Sequence, residues 1–191
     1  MEEKLKQSRN QFAQLIKVVL YGPESTGKTT LAMQLAEHYN TLWVPEYMRE
    51  YLQKKWDSNK ELVVKEDLIP IANGQLKLEK DAAQKVENLL ICDTNLLELK
   101  VYSEYYYDGF CPSEIKNEAT KNEYSIYLLT YIDTPWDVDD LRDRPNNREE
   151  MFRIFEAELK EQDFPYQILK GNETERFENA VKIIDALLKK N

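Results

Sequence analysis

Residues 22–29 read Gly22-Pro23-Glu24-Ser25-Thr26-Gly27-Lys28-Thr29: a glycine, four residues, then Gly-Lys-Thr. The apolar run Ile16 to Tyr21 stands before this stretch, and Leu31, Leu35 and Tyr39 behind it fall on one helical face. Strand, glycine loop and helix in that order make a phosphate cradle. The glycines take backbone angles barred to other residues, so successive N–H groups can face an anion, and the helix N-terminus adds its positive dipole end. The loop therefore predicts the phosphates of ATP against Gly22, Glu24, Ser25, Thr26, Gly27, Lys28, Thr29 and Thr30. Lys28 would reach the β- and γ-phosphates, and the Thr29 hydroxyl would ligate Mg²⁺. The bland alternative is a glycine turn joining a strand to a helix.

Outward from the loop, short apolar runs recur at 41–44, 89–92, 125–132 and Tyr166–Leu169, as expected of strands covered on both faces. Amphipathic helical patterns separate them. Phe177, Ala180, Val181, Ile184, Leu187 and Leu188 share one face, and Met151, Phe152, Phe155 and Leu159 make a second stripe. Strands alternating with helices predict a largely parallel α/β sheet in one domain over 1–191. Residues 54–85 read as a helical crossover broken at Pro70 and Gly74, and residues 1–15 as a loosely attached helix.

A phosphate loop needs an acidic partner at the end of a neighbouring strand, and Leu89-Leu90-Ile91-Cys92-Asp93 supplies Asp93 for Mg²⁺. A capping role for Asp93 at the next helix, near Thr94 or Asn95, is the alternative. Glu46 follows the second run, at the strand end where ligands of open α/β sheets lie, placed to take a proton or hold a diol. An ion pair with Arg49 is the plainer reading of it. Between Glu46 and Asp93 as the base, the residues do not choose. Three of the seven arginines, Arg142, Arg144 and Arg148, fall in a loop with Pro145 and paired asparagines. They suit a lid over 137–150 that brings guanidinium groups to a transferring phosphoryl, Arg142 and Arg144 as catalytic groups and Arg148 on the nucleotide. Surface pairing with the interleaved aspartates is the alternative. Trp136, beyond the fourth run, offers a stacking face for a flat cationic heteroaromatic substrate. His38 reads as a partly exposed helix residue. The aromatic stretch Tyr102 to Phe110 reads as packing, with a surface for a protein partner as the alternative.

Composition narrows the classes. With 35 acidic against 26 basic side chains, the net charge of -9 argues against a nucleic-acid partner. One histidine and two cysteines exclude a His-rich metal site and a disulfide framework. Cys92 reads as core and Cys111 as an exposed turn residue. The N-terminus lacks the basic start and long apolar middle of a secretory signal, and no run approaches a membrane span, so a cytoplasmic protein without a membrane partner is expected.

The combination of GPESTGKTTLA, PEYMREY, CDT, YSEYYYDGFCP and DTPWDVDDLRDRP resembles the ribosylnicotinamide kinase domain of NadR-type bacterial proteins, from about Lys17 onward. The resemblance implies a three-layer P-loop NTPase fold like that of adenylate and nucleoside kinases, with a five-stranded parallel sheet flanked by helices and a lid. It implies ATP-dependent phosphorylation of nicotinamide riboside to nicotinamide mononucleotide, with a small nucleoside as partner. On matching positions it points to Glu46 and Arg49 at the substrate end and to Asp93 beside Mg²⁺. Trp136, Asp139 and Arg142 fall in its substrate and lid segment, where Asp140 replaces the glycine common among relatives. Some fifteen residues precede the resemblance, so the adenylyltransferase and repressor roles of longer relatives are not expected here. A kinase for another nucleoside or vitamin, or an ATP-binding switch acting through a protein partner, are the other readings.

Overall fold

A computed structural model describes residues 15–121, 123–137 and 146–190. The expected N-terminal helix and most of the expected lid, with Asp139, Asp140, Arg142 and Arg144, lie outside the described residues. Because the apolar runs are unbroken rather than alternating, their strands need cover on both faces, and they find it. β1 (Ile16–Tyr21) lies at the centre, between β3 (Leu89–Asp93) and β4 (Ile126–Thr130). β2 (Trp43–Val44) and β5 (Tyr166–Leu169) form the edges, giving the order β2-β3-β1-β4-β5. Every pairing is parallel, and the register sets Leu20 beside Asp93 and Tyr21 beside Leu129.

Successive strand residues feed two cores. Val19, Tyr21, Leu90, Cys92, Tyr127 and Leu129 face one side. There α3 (Leu68–Ala83), α4 (Leu96–Tyr106), α5 (Ser113–Ala119) and α6 (Arg148–Glu161) supply Ile71, Leu97, Ile115 and Phe155. Val18, Leu20, Ile91 and Leu128 face the other, under Leu31 and Leu35 of α1 (Lys28–His38) and Ala180 and Ile184 of α7 (Glu173–Leu188). This is the parallel α/β sheet that the run of strands and helices predicts, in the three-layer, five-stranded form that the resemblance implies. Phe155 is fully buried with its ring edge-on to Tyr21 and Tyr102, at 4.8 and 5.3 Å, so α6, β1 and α4 meet directly below the phosphate loop.

Several expectations change in detail. β3 runs one residue further than its apolar run and includes Asp93. The 41–44 run yields only Trp43–Val44, while the 125–132 run yields Ile126–Thr130. The helical crossover does not break at Pro70 or Gly74, for both lie within α3. Pro70 is its third residue, where no N–H has an intrahelical acceptor to lose. The break comes earlier, at Lys60, whose left-handed backbone (φ 56°) ends α2 (Tyr47–Asn59). Cys111 is buried in the core on the α4 side rather than exposed. No described helix is long and apolar enough to cross a membrane.

Gly74 has a packing reason. A Cβ there would lie 2.1 Å from Cε1 of Tyr47, so the glycine lets α2 and α3 close on each other. Alanine normally favours a helix interior over glycine by about 1 kcal/mol. Here the displaced ring outweighs that gain, and Gly74→Ala should destabilise the fold by about 1–3 kcal/mol in urea unfolding. A stabilised variant would show that the Tyr47 ring yields without cost.

Candidate active site

The loop takes the shape its glycines allow. Gly22 (φ 136°) passes so close to β4 that a Cβ would meet Thr130 Oγ1 at 2.9 Å, and Gly27 (φ 78°) turns the chain into α1. Buried hydroxyls seat it on the sheet: Thr26 donates to the Pro23 carbonyl at 2.8 Å, and its Oγ1 lies 2.7 Å from that of Thr130.

Lys28 folds back over this loop. Its ammonium donates to the carbonyls of Gly22 and Pro23 at 2.7 and 2.9 Å and stands 3.4 Å from Glu98 Oε1. Burial works against that charge, yet Glu98, Glu46, Asp93 and Glu24 around it hold the lysine pKa above its ordinary value. Next to it, the Thr29 hydroxyl donates to Asp93 Oδ2 at 2.6 Å. Burial pushes Asp93 up, and the Thr29 bond and Lys28 pull the other way. The helix after Asp93 is capped instead by Asn95, whose side chain accepts from the Leu97 N–H, so Asp93 is not the cap. Asp93 Oδ1 is buried with no partner among the described residues. A hydroxyl and a carboxylate with an open oxygen, both hard donors at the phosphate loop, fit a Mg²⁺ ion.

Two arginines fasten the cradle from outside. Arg148, at the start of α6, donates to the Thr134 carbonyl at 2.7 Å and the Ser25 carbonyl at 3.1 Å, and its guanidinium lies 5.8 Å from the centre of the Trp136 ring. Arg176 of α7 is 4% exposed and donates to the carbonyls of Thr26, Gly171 and Tyr131 and to the Asp133 carboxylate. Thr134 and Asp137 also bond Ser25, through the Thr134 hydroxyl at 2.8 Å and the Asp137 N–H at 2.7 Å.

A cleft of about 510 Å³ opens along the loop, lined among others by Lys28, Thr29, Glu46, Arg49, Glu98 and Tyr102. A more apolar recess of about 280 Å³ shares Glu24, Met48, Leu52 and Tyr102 with it and adds Leu62, Leu68 and Tyr106. Trp136 faces a small recess beside Pro23, Glu24 and Tyr102, on the Arg148 side. Thus Lys28, Thr29, Asp93, Glu46 and Arg49 converge, with Trp136 and Arg148 at the rim; Arg142, Arg144 and Asp139 lie outside the described residues. His38 is exposed on α1, with its ring against Phe177. Sequence reasoning missed Glu98 and Arg176. Glu98 did leave a trace, as the one carboxylate in the apolar stretch Leu96-Leu97-Glu98-Leu99, whereas Arg176 is one more charge in a polar helix start.

A family model described as an AAA domain matches residues 17–176. The chain belongs to that family. Among relatives of this AAA domain, Adenylate kinase 9 of Mus musculus is 35% identical over 102 residues, 49% of this chain and 5% of that protein. The Trifunctional NAD biosynthesis/regulator protein NadR of Escherichia coli (strain K12) is 26% identical over 125 residues, 65% of this chain and 30% of that one. A solved NadR protein in complex with NR superimposes with a TM-score of 0.73 at 20% identity, over 90% of this chain and 50% of that one. The resemblance to NadR-type proteins therefore holds in sequence and in fold, and the matched stretch is a fraction of each relative's length.

Arg176 ties together the phosphate loop and the segments that follow β4 and β5, so Arg176→Ala leaves three carbonyls and a carboxylate short of a donor. It should cost about 2–4 kcal/mol of stability in chemical denaturation. Partial burial disfavours the Asp133 charge, but the Gly171 N–H and Arg176 outweigh it and depress its pKa. That share of stability is present above the ordinary aspartate value of about 3.9 and is lost as pH falls through the depressed folded value. In the variant this acid-side loss should shrink; an unchanged acid limb would mean that Arg176 does not hold Asp133.

Proposed function

We propose that this AAA domain is a small-molecule kinase that transfers the γ-phosphoryl of ATP to a nucleoside hydroxyl, with nicotinamide riboside as the first acceptor to try. The observation that carries the reading is the convergence of Lys28, the Thr29–Asp93 pair and Glu46 on one cleft that continues into a recess large enough for a heteroaromatic group. The likeness to NadR, one solved form of which holds NR, supports that choice of acceptor.

The cradle N–H groups of residues 22–29 and the α1 N-terminus bind the triphosphate, and Lys28 swings from the Gly22 and Pro23 carbonyls to the β- and γ-phosphates. Mg²⁺, when bound, neutralises charge on those phosphates, and Thr29 with Asp93 would hold it. Asp93 is already bonded to Thr29, which supports the metal duty for it and leaves Glu46 to accept the proton of the attacking hydroxyl. Arg49 orients the acceptor, and Trp136 closes over its ring. In the lid segment, Asp139 contacts the acceptor while Arg142 and Arg144 meet the transferring phosphoryl. Arg148, bonded to the Ser25 carbonyl of the phosphate loop, contacts the nucleotide. Catalysis of this kind is mostly positioning and charge stabilisation. The cytoplasm, with ATP and Mg²⁺ at hand, is the compartment such a reaction needs.

The test is a coupled ADP assay with ATP·Mg and a panel of nucleosides. ADP formed in step with one nucleoside, nicotinamide riboside above all, is the expected result. Hydrolysis indifferent to every nucleoside, or tight retention of ATP without turnover, would support a nucleotide switch instead. Glu46→Gln should lower kcat by about a hundredfold to ten-thousandfold with ATP affinity nearly unchanged. Equal losses in both would assign Glu46 to ATP rather than to the acceptor.

A further inference from the structure

On the cleft wall, two buried polar atoms lack a partner among the described residues: Glu98 Oε2 and the Tyr102 hydroxyl. Buried polar groups in native interiors are paired nearly without exception, so open ones on a cleft wall call for a ligand or a water. Glu98 is 2% exposed, sits in the first turn of α4 and lines the cleft with Tyr102. It does not cap α4, since Asn95 does. Its Oε1 faces Lys28 at 3.4 Å, which leaves Oε2 without a task inside the protein. Burial, then the charge of Glu98, pushes the Tyr102 hydroxyl well up, so that phenol keeps its proton.

We propose that Glu98 and Tyr102 are acceptor-binding residues: they hold a hydroxyl or N–H of an uncharged sugar moiety beside Lys28, and so select an unphosphorylated nucleoside over its monophosphate. The inference rests on the kinase reading and sharpens its acceptor class. A phosphate monoester brought to this floor would meet the carboxyl groups of Glu98, Glu46 and Asp93, all close enough to act on one another's charge. A neutral hydroxyl meets an acceptor at Glu98 and a donor at Tyr102.

Steady-state kinetics of the whole chain, with the nucleoside accepted by the wild type, test this in two variants. Glu98→Gln keeps the shape and replaces the carboxyl group with an amide, and it should raise the acceptor KM about tenfold or more. Tyr102→Phe loses only the hydroxyl and should raise it about threefold to tenfold. In both, the ATP KM should stay within about twofold and the melting temperature should stay close to wild type. The 5′-monophosphate of the same nucleoside should be a poor acceptor for the wild type, and Glu98→Gln should narrow that preference. An unchanged acceptor KM in Tyr102→Phe, or an ATP KM that rises with the acceptor KM in Glu98→Gln, would overturn the proposal and reduce Glu98 to a counter-ion of Lys28. A wild type that phosphorylates no nucleoside would instead refute the kinase reading itself, and this inference with it.

Discussion

The buried ammonium of Lys28 organises the carboxyl end of the sheet. It hangs on two carbonyls of its own loop while four acidic side chains act on it. A cation so placed satisfies the loop from within, and it compensates part of the charge of Asp93, Glu46 and Glu98. The same position makes it exchangeable. Carbonyls are weaker partners for an ammonium than phosphate oxygens, so a triphosphate offers Lys28 a better set of contacts than the free protein does.

The surrounding structure keeps that exchange local. Thr26 and Thr130 pin the loop to β4, Arg176 ties it to the ends of β4 and β5, and Arg148 with Thr134 holds Ser25. Apart from the Thr26–Thr130 hydroxyl pair, these bonds take backbone carbonyls, and none of them takes an N–H of the loop. Anion binding then needs little rearrangement beyond the lysine side chain, which is how a site gains affinity from being preorganised. Phe155, wedged against Tyr21 and Tyr102, supports the arrangement from beneath and links it to the wall of the cleft.

Much of this was legible in the sequence because it depends on local chemistry. The phosphate loop is contiguous, its glycines are required by backbone angles and by the approach of Thr130, and the strand and helix on either side follow from apolar pattern. Asp93 was legible because a carboxylate ending a buried apolar run has few roles. What the sequence hid depends on contacts between distant segments. Glu98 looks like one polar residue in a helix until Lys28, 70 positions earlier, is found beside it. Arg176 binds carbonyls, which carry no side-chain signature at all. Pro70 and Gly74 misled for a related reason: each has a local meaning as a breaker, and each is overruled by its place in α3, at an end and under the Tyr47 ring.

The account turns on Lys28 trading its own loop for phosphate. Calorimetric titration of ATP·Mg into the wild-type chain and into Lys28→Met measures this directly. One ATP per chain should bind the wild type, and the variant should lose about a hundredfold or more in affinity, as expected for removing a charged partner of two phosphates. An affinity unchanged by the substitution, or no ATP binding by the wild type, would contradict it.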